Sequence, residues 1–341
     1  MNIKQKKMEQ SKKLEIIVGI IFIILVFFGV LNIDENGNIT IAGVEKQTTV
    51  ITSTINNNKE QNEGNASSNT AENKKDTSSM SNIINEEDFE IYFLDVGQAD
   101  SILISNNDAN MLIDAGNNSD GKKICDYLKT LGVEKIDYLV GTHAHEDHIG
   151  GLDNVIKTFD IGTIYMPKKS ATTKTFEDVI DAVSSKKLKV KSPKIGDTFS
   201  IGNAECEIMT LDDDAEDANL SSIVIEVTYG TQKFLFTGDM ESINEESRSW
   251  NDIDVLKVAH HGSSSSSSMK FLNQVKPEIS IISCGKNNDY GHPHKETLKS
   301  LNKINSEVYR TDLCGTIRLT SNGTENKLEF LDVSCDGNEE K

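Results

Sequence analysis

Residues 136–151, IDYLVGTHAHEDHIGG, constrain this chain more than any other stretch. An apolar run of strand character ends in three histidines and two acids within six residues, closed by two glycines. His143 and His145 are two apart, and Asp147 adjoins His148. One tight loop can therefore turn two imidazoles toward one ion, and a carboxylate with a third imidazole toward a second. A lone histidine is more often an ordinary surface or core residue. Four ligand-type side chains crowded behind one strand point to metal, and imidazole with carboxylate suits Zn²⁺, Mn²⁺ or Fe.

Other apolar runs end in the same way: LDVGQADS, LIDAGNN, LFTGDM and VAHHGSSS. Asp239 follows a strand and a turn glycine, where a carboxylate can bridge two ions. His260 and His261 close another strand, and all seven histidines lie in HAHEDH, in this pair or in GHPH (His292, His294). Between these points the pattern reads strand–strand–strand–helix up to Gly132, then strand and helix in alternation. A run of short strands follows Pro193, and strands with helices return at the end. That order predicts two sheets packed face to face with helices on both outer faces, a four-layer αββα sandwich of the α/β class. Polar residues collected at strand ends place the chemistry on loops held by a rigid scaffold.

The N-terminus reads differently. Residues 14–33 are almost wholly apolar, five lysines precede them and acids follow, which predicts a single membrane anchor with residues 1–13 cytoplasmic and the remainder exported. A cleaved signal peptide, releasing a secreted protein, is the alternative. Residues 34–88 are rich in Asn, Ser, Thr, Glu and Lys and read as a flexible extracytoplasmic linker, with at most a short strand pair near GNITIAGVEK. The folded domain is then 89–335. From residue 89 onward 26 basic residues face 42 acidic ones, so the broad basic footprint of a non-specific DNA binder is absent. The five cysteines show no C-x-x-C spacing and read mostly as small buried hydrophobes, their pairing open.

Taken together, HAHEDHIGG, FLDVGQADSILI, LIDAG, FLFTGDM, LKVAHHGS and YGHPH resemble the metallo-β-lactamase superfamily, and within it the exported domain of ComEC-like competence proteins and their stand-alone relatives. The resemblance runs from Phe89 to about Val333. It implies one or two divalent ions, Zn²⁺ or Mn²⁺: His143 and His145 for the first, Asp147, His148 and His260 for the second, with Asp239 bridging. His261 is an alternative to His260. Asp95 and Asp114 match acids at early strand ends, and Asp114 is expected to brace a ligand histidine. One departure stands out: no histidine occurs from 149 to 259, where the family often supplies a third imidazole to the first ion. The matching stretch, DANLSSIVIEV, offers Asn219 and Ser221 instead, which implies a first site poor in ligands.

Two ions sharing a carboxylate activate water and stabilise a leaving oxygen, chemistry that suits phosphodiesters as well as amides and esters. Asp147, His261 and His292 are the candidate catalytic groups, and Ser263 is a candidate phosphate contact. The later serines of HHGSSSSSS are either anion donors or a solvated loop. His294 reads as a surface residue at a helix start. The expected activity is that of a membrane-tethered phosphodiesterase or nuclease. A phosphoester hydrolase of envelope polymers, resembling phosphocholine esterases, and a non-catalytic binding module are the alternatives. The oligomeric state is open.

Overall fold

The computed structural model describes residues 89–332 and two short strands, β1 (Leu31–Ile33) and β2 (Ile39–Ile41). These two pair antiparallel, with Leu31 opposite Ile41. The last three residues of the expected anchor are thus in a strand. The rest of the 14–33 segment, the 1–13 tail, most of the 34–88 linker and residues 333–335 lie outside the described residues. Among the described residues no helix is long and apolar enough to cross a membrane.

The main body runs through β3 (Phe89–Phe93), β4 (Ile102–Asn106), β5 (Ala109–Ile113), β6 (Lys135–Val140), β7 (Asp160–Tyr165), β8 (Val190–Lys191), β9 (Thr198–Ile201), β10 (Ala204–Thr210), β11 (Val224–Tyr229), β12 (Gln232–Phe236), β13 (Val255–Lys257), β14 (Ile279–Ile282), β15 (Glu307–Arg310), β16 (Ile317–Ser321) and β17 (Asn326–Phe330). Strands β17-β16-β3-β4-β5-β6-β7-β8 form one sheet and β15-β14-β13-β12-β11-β10-β9 the other. Each sheet is mixed. The β5–β8 portion of the first and the β12–β15 portion of the second are parallel, and the remaining pairs are antiparallel.

Most of these strands carry apolar side chains on both faces, which is why they read as continuous hydrophobic runs rather than alternating ones. Phe89, Ile91, Phe93, Ile102, Ile104, Met111 and Ile113 point inward to meet Ile225, Val227, Phe234, Phe236 and Val255 of the other sheet. The residues between them, such as Tyr92, Leu103 and Leu112, point outward. They pack against helices 121–130, 152–158 and 174–185 through Ile124, Leu128, Val155, Ile156, Val179 and Val183. Val224, Leu235 and Leu256 do the same on the opposite side, against Phe271, Leu272 and Val275 of helix 269–275 and Leu301 of helix 295–303. Three apolar interfaces separate four layers, as the order of elements predicts. Burying each of these large side chains contributes about 1.5–3 kcal/mol. Gly132, expected to stop the first of these helices, does so with φ 79°.

Candidate metal centre

The parallel strands of both sheets end at the same place. β5 leads into Asp114, β6 into Thr142 and His143, β12 into Asp239, and β13 into His260 and His261. Loops past the carboxyl ends of parallel strands are where α/β folds bind ligands. Here the loops are joined by backbone hydrogen bonds. The Ala115 amide donates to His148 O (2.7 Å), Asp100 to Asp147 O (3.0 Å), and Ile223 to Thr142 O (3.0 Å). The two glycines that close the histidine motif allow this approach. A Cβ on Gly150 would lie 2.3 Å from Asn117 C, and one on Gly151 would lie 2.3 Å from Ala115 O. A side chain at either would push the 115–118 loop, and with it Asp114, away from His148.

Asp114 organises the motif from beneath, fully buried. Its carboxylate accepts from the Thr142 amide (2.8 Å), the Thr142 hydroxyl (2.7 Å) and His148 Nδ1 (2.7 Å). That leaves His148 Nε2 facing the cavity, the orientation a carboxylate gives a metal-binding imidazole. His148 Nε2 lies 3.2 Å from Asp239 Oδ1 and 3.8 Å from Asp147 Oδ2; His261 Nε2 lies 3.2 Å from Asp147 Oδ2 and 3.7 Å from Asp239 Oδ1. His148 Nε2, His261 Nε2 and Asp239 Oδ1 are buried without a hydrogen-bond partner. Buried polar atoms are rarely left so. Ligand atoms about 2.0–2.2 Å from a tetrahedral ion are themselves about 3.3–3.6 Å apart, so a divalent cation fits this set. His143 Nε2 lies 3.0 Å from His145 Nδ1 and 3.9 Å from Asp239 Oδ2, and His143, His148 and Asp239 form a second group of possible ligands.

The electrostatics agree. Burial opposes charge on Asp147, but His148 and His261 outweigh it and hold the carboxyl down at about 2. Burial likewise opposes a charged His261, yet the Asp239 and Asp100 carboxylates push it up to about 10. His148 is raised well above its ordinary value, against burial, by Asp239, Asp114 and Asp147. His143 is held neutral by burial and by the neighbouring His148. Carboxylates in this pocket therefore draw positive charge, which protons supply in the absence of a cation. An arriving cation displaces protons from His148 and His261, so its affinity should rise with pH. Calorimetric titration of Mn²⁺ in buffers of different ionisation enthalpy should read proton release near neutrality. An affinity that does not change between about pH 6 and 8 would contradict this.

The expected site residues divide. His143, His145, Asp147, His148, Asp239 and His261 converge, and His260 borders the same pocket. The adjacent pair resolves toward His261 beside Asp147, where His260 was the favoured residue; His260 instead faces the other oxygen of Asp239. Asp95 does not reach the site, because its carboxylate accepts from the Gly97 amide within its own turn. Asp100, five residues on, is the acid that approaches His261 Nδ1 (3.4 Å), and Lys257 Nζ holds it at 2.8 Å. Neither was evident from the sequence, although a lysine inside the apolar strand VLKV is the one signal present. Asn219 lines the pocket, while the Ser221 hydroxyl turns away to Ala218 O; Ser222, its neighbour, contacts His143 Nδ1 (3.4 Å). Ser263 faces its own loop, bonded to Ser265. The later serines are built in rather than solvated: the Glu245 carboxylate accepts from the amides of Ser267 and Ser268, and Ser268 caps helix 269–275. His294 anchors this loop by accepting from the Ser264 amide (2.9 Å). Cys125, Cys206 and Cys284 are free and buried.

The pocket, of about 310 Å³, is lined by these ligands with Gln98, Glu146, Asn219, Tyr290 and His292. Gln98 is fixed by the Gly285 amide, which donates to its Oε1, and its Nε2 donates to His292 Nδ1 (3.3 Å). Burial, helped by the charges of His261 and His260, lowers His292 to about 4, so the ring is neutral and presents Nε2–H as a donor. Tyr290, 69% exposed, stacks on His292 at 5.6 Å and 22°. Asn288 holds that loop by accepting from the amides of Tyr290 and His292.

Comparison with known proteins gives three results. The family model of the metallo-beta-lactamase superfamily matches residues 94–286. ComE operon protein 3 of Bacillus subtilis is 31% identical over 252 residues, covering 67% of this chain and 32% of that protein, and Recombination protein 2 of Haemophilus influenzae is 30% identical over 244 residues, covering 70% and 29%. Competence protein ComA of Neisseria gonorrhoeae is 29% identical over 231 residues, covering 66% and 31%. The chain thus spans about a third of the length of these curated relatives. Among solved structures, the metallo-beta-lactamase fold protein YhfI of Bacillus subtilis aligns with a TM-score of 0.49 at 12% identity, over 69% of this chain and all of that one.

Proposed function

The chain belongs to the metallo-beta-lactamase superfamily, and from that premise we propose that it is a metal-dependent phosphodiesterase acting on single-stranded nucleic acid outside the cell, tethered by residues 14–33. The observation that carries the metal dependence is the convergence of buried, partnerless ligand atoms from His148, Asp239 and His261 beside Asp147. Asp147, His148, Asp239 and His261 would hold one ion, with His143 and His145 beside Asp239 for another. Zn²⁺ and Mn²⁺ both suit this donor set, and such ions supply Lewis acidity and an activated water. The protein's own contribution is positional. The Asp114, Thr142 and Asp100 contacts fix the imidazoles, and the neutral His292 offers a hydrogen bond to an anionic oxygen in the pocket. Relatives named for competence and recombination support nucleic acid as the substrate.

Tyr290 gives the pocket mouth a flat aromatic surface on a braced loop. Such surfaces bind bases at about 1–3 kcal/mol each. Tyr290→Ala should therefore raise KM for single-stranded DNA roughly 5- to 150-fold while kcat stays within about twofold, and Tyr290→Phe should behave as wild type. Steady-state kinetics separate the two, and an unchanged KM removes Tyr290 from the binding surface.

An envelope phosphoester substrate is the second reading, favoured by the excess of acidic over basic residues from 89 onward, which opposes a polyanionic strand. One panel decides. The chain is supplied with Mn²⁺ or Zn²⁺ and assayed on single-stranded DNA, RNA, bis-p-nitrophenyl phosphate, phosphocholine esters and a chromogenic cephalosporin, beside Asp147→Ala. DNA cleavage lost in the variant supports the first reading. Phosphocholine release without DNA cleavage replaces it with the second. Bound metal without turnover on any substrate makes the chain a binding module.

A further inference from the structure

The sequence leaves the pairing of its five cysteines open, and none of them lines the pocket. Cys125, Cys206 and Cys284 are free. Burial pushes the thiols of Cys206 and Cys284 up to about 12, with the Asp312 carboxylate adding to the effect at Cys284, and burial raises Cys125 as well. The thiolate is the species that attacks a disulfide, so these three are poor partners for exchange. Cys314 closes the short helix Thr311–Cys314 and is instead disulfide-bonded. Of the five, Cys335 remains, and it lies outside the described residues.

The path of the chain beyond β17 fits this pairing. The Leu331 amide donates to Thr316 O (3.0 Å), and Asp332 Oδ2 accepts from the Thr316 amide (2.9 Å). A Cβ on Gly315 would lie 2.7 Å from Asp332 Cβ. Asp332 therefore lies against the residues that directly follow Cys314. Three further residues span at most about 10 Å, and the Cα atoms of a disulfide lie about 4.4–6.8 Å apart, so Cys335 is within reach. Cys284 is the rival by position. Its Sγ lies 3.2 Å from Asp312 Oδ1, and its amide donates to Thr311 Oγ1 (3.0 Å), yet it is free.

We propose that Cys314 and Cys335 form a structural disulfide that closes residues 314–335 into a covalent loop holding the whole of β16 and β17. β17 is an edge strand, joined through β16 to β3, so the bond fastens the hairpin most open to local unfolding. The two thiols give up two protons and two electrons to a disulfide-bearing oxidant, which is reduced to its dithiol. Cytosolic reductants oppose that step, so the bond rests on the extracytoplasmic part of the reading above and not on the metal chemistry. Cys314 is 1% exposed, which keeps reductants from its sulfur once the bond has formed and makes the pair a staple instead of a switch.

The full 341-residue chain is expressed in bacteria, its thiols are trapped with iodoacetamide before lysis, and it is denatured in the same reagent and digested with trypsin without reduction. Peptides 311–318 and 328–341 should appear joined, from a chain that runs as a monomer on a non-reducing gel, with Cys125, Cys206 and Cys284 alkylated. Cys335→Ser, which alters no described residue, should keep the fold and speed amide exchange in β16 and β17 at least roughly tenfold relative to β5 and β6. Cys314 joined to Cys284, a cross-linked dimer, or unchanged exchange in Cys335→Ser overturns the inference. Both cysteines alkylated in cells, yet joined when the purified chain meets oxidised glutathione, would keep the pairing and overturn the extracytoplasmic reading. Both alkylated under either condition overturns the pairing itself. A joined pair in a chain without turnover leaves this inference standing while the activity reading fails.

Discussion

Asp239→Asn is expected to abolish turnover while leaving the fold in place. The carboxylate is 2% exposed and lies opposite His143, His148, His260 and His261. Burial opposes its charge, but His148 and His261 outweigh that and keep it well below the usual carboxylate range, so it is anionic throughout the physiological range. The amide keeps the shape and removes the one negative group that both halves of the pocket share. Loss of a group acting only as part of a cooperating set costs far more than a single contact, so kcat/KM should fall by roughly 10³-fold or more. The apolar interfaces that set the fold do not include this side chain, but some stability should be lost near neutrality, because a buried carboxylate held below its ordinary range by His148 and His261 stabilises the folded state there. Far-ultraviolet circular dichroism and bound metal measured beside the kinetics make the comparison clean. A variant within about tenfold of wild type would remove Asp239 from the chemistry.

The largest effect on stability should come from Lys257→Met. Lys257 follows Val255 on the inward face of β13, a core position, and its side chain is 0% exposed. Nζ lies 2.8 Å from Asp100 Oδ2 and donates to Val258 O (3.0 Å). Burial penalises the Asp100 charge, yet Lys257 and then His261 outweigh it and depress the carboxyl below its ordinary range. A depressed carboxylate contributes stability above its unfolded value, and that contribution is lost only as pH falls through the folded one. It is therefore complete at neutrality. Removing one member of a buried pair strands the other, at about 3–5 kcal/mol. Urea unfolding near pH 7 should show that loss, and Asp100→Asn in the same chain should restore part of it. A change under about 1 kcal/mol would mean that the pair is not coupled. Because Asp100 also approaches His261 Nδ1, ion affinity should weaken in parallel by about 10- to 100-fold.

Much of this was legible before any coordinates. The layered fold followed from where apolar runs occur and how long they are, because strands buried on both faces must sit between helices and a second sheet. The HAHEDH loop was legible because its ligands are local. Contacts that depend on distant loops were not. Choosing between His260 and His261 needed the sign of φ at both, which residue type does not reveal. Asp95 seemed placed at a strand end, but β3 stops at Phe93 and the turn through Gly97 carries Asp100 inward instead. β15, EVYR, is not legible as a strand, because a short edge strand has no continuous hydrophobic run. The packing of the serine loop depends on Glu245, a helix residue about twenty positions upstream, and nothing local announces it.

The pairing of β3 with β16, and of β16 with β17, has a bearing on portability. Phe89 lies opposite Ser321, Phe93 opposite Ile317, and Ile317 opposite Phe330. The polypeptide thus enters this unit on β3, and its last described strand, β17, lies two places away in the same sheet with β16 between them, the two ends within about 15 Å along the strand direction. A domain whose two ends lie close together on one sheet can be spliced into a longer host polypeptide, or hung from a stalk at either end, without rethreading its interior. Shortening it before residue 317 would instead strip two strands and bare β3 as a raw, adhesive border.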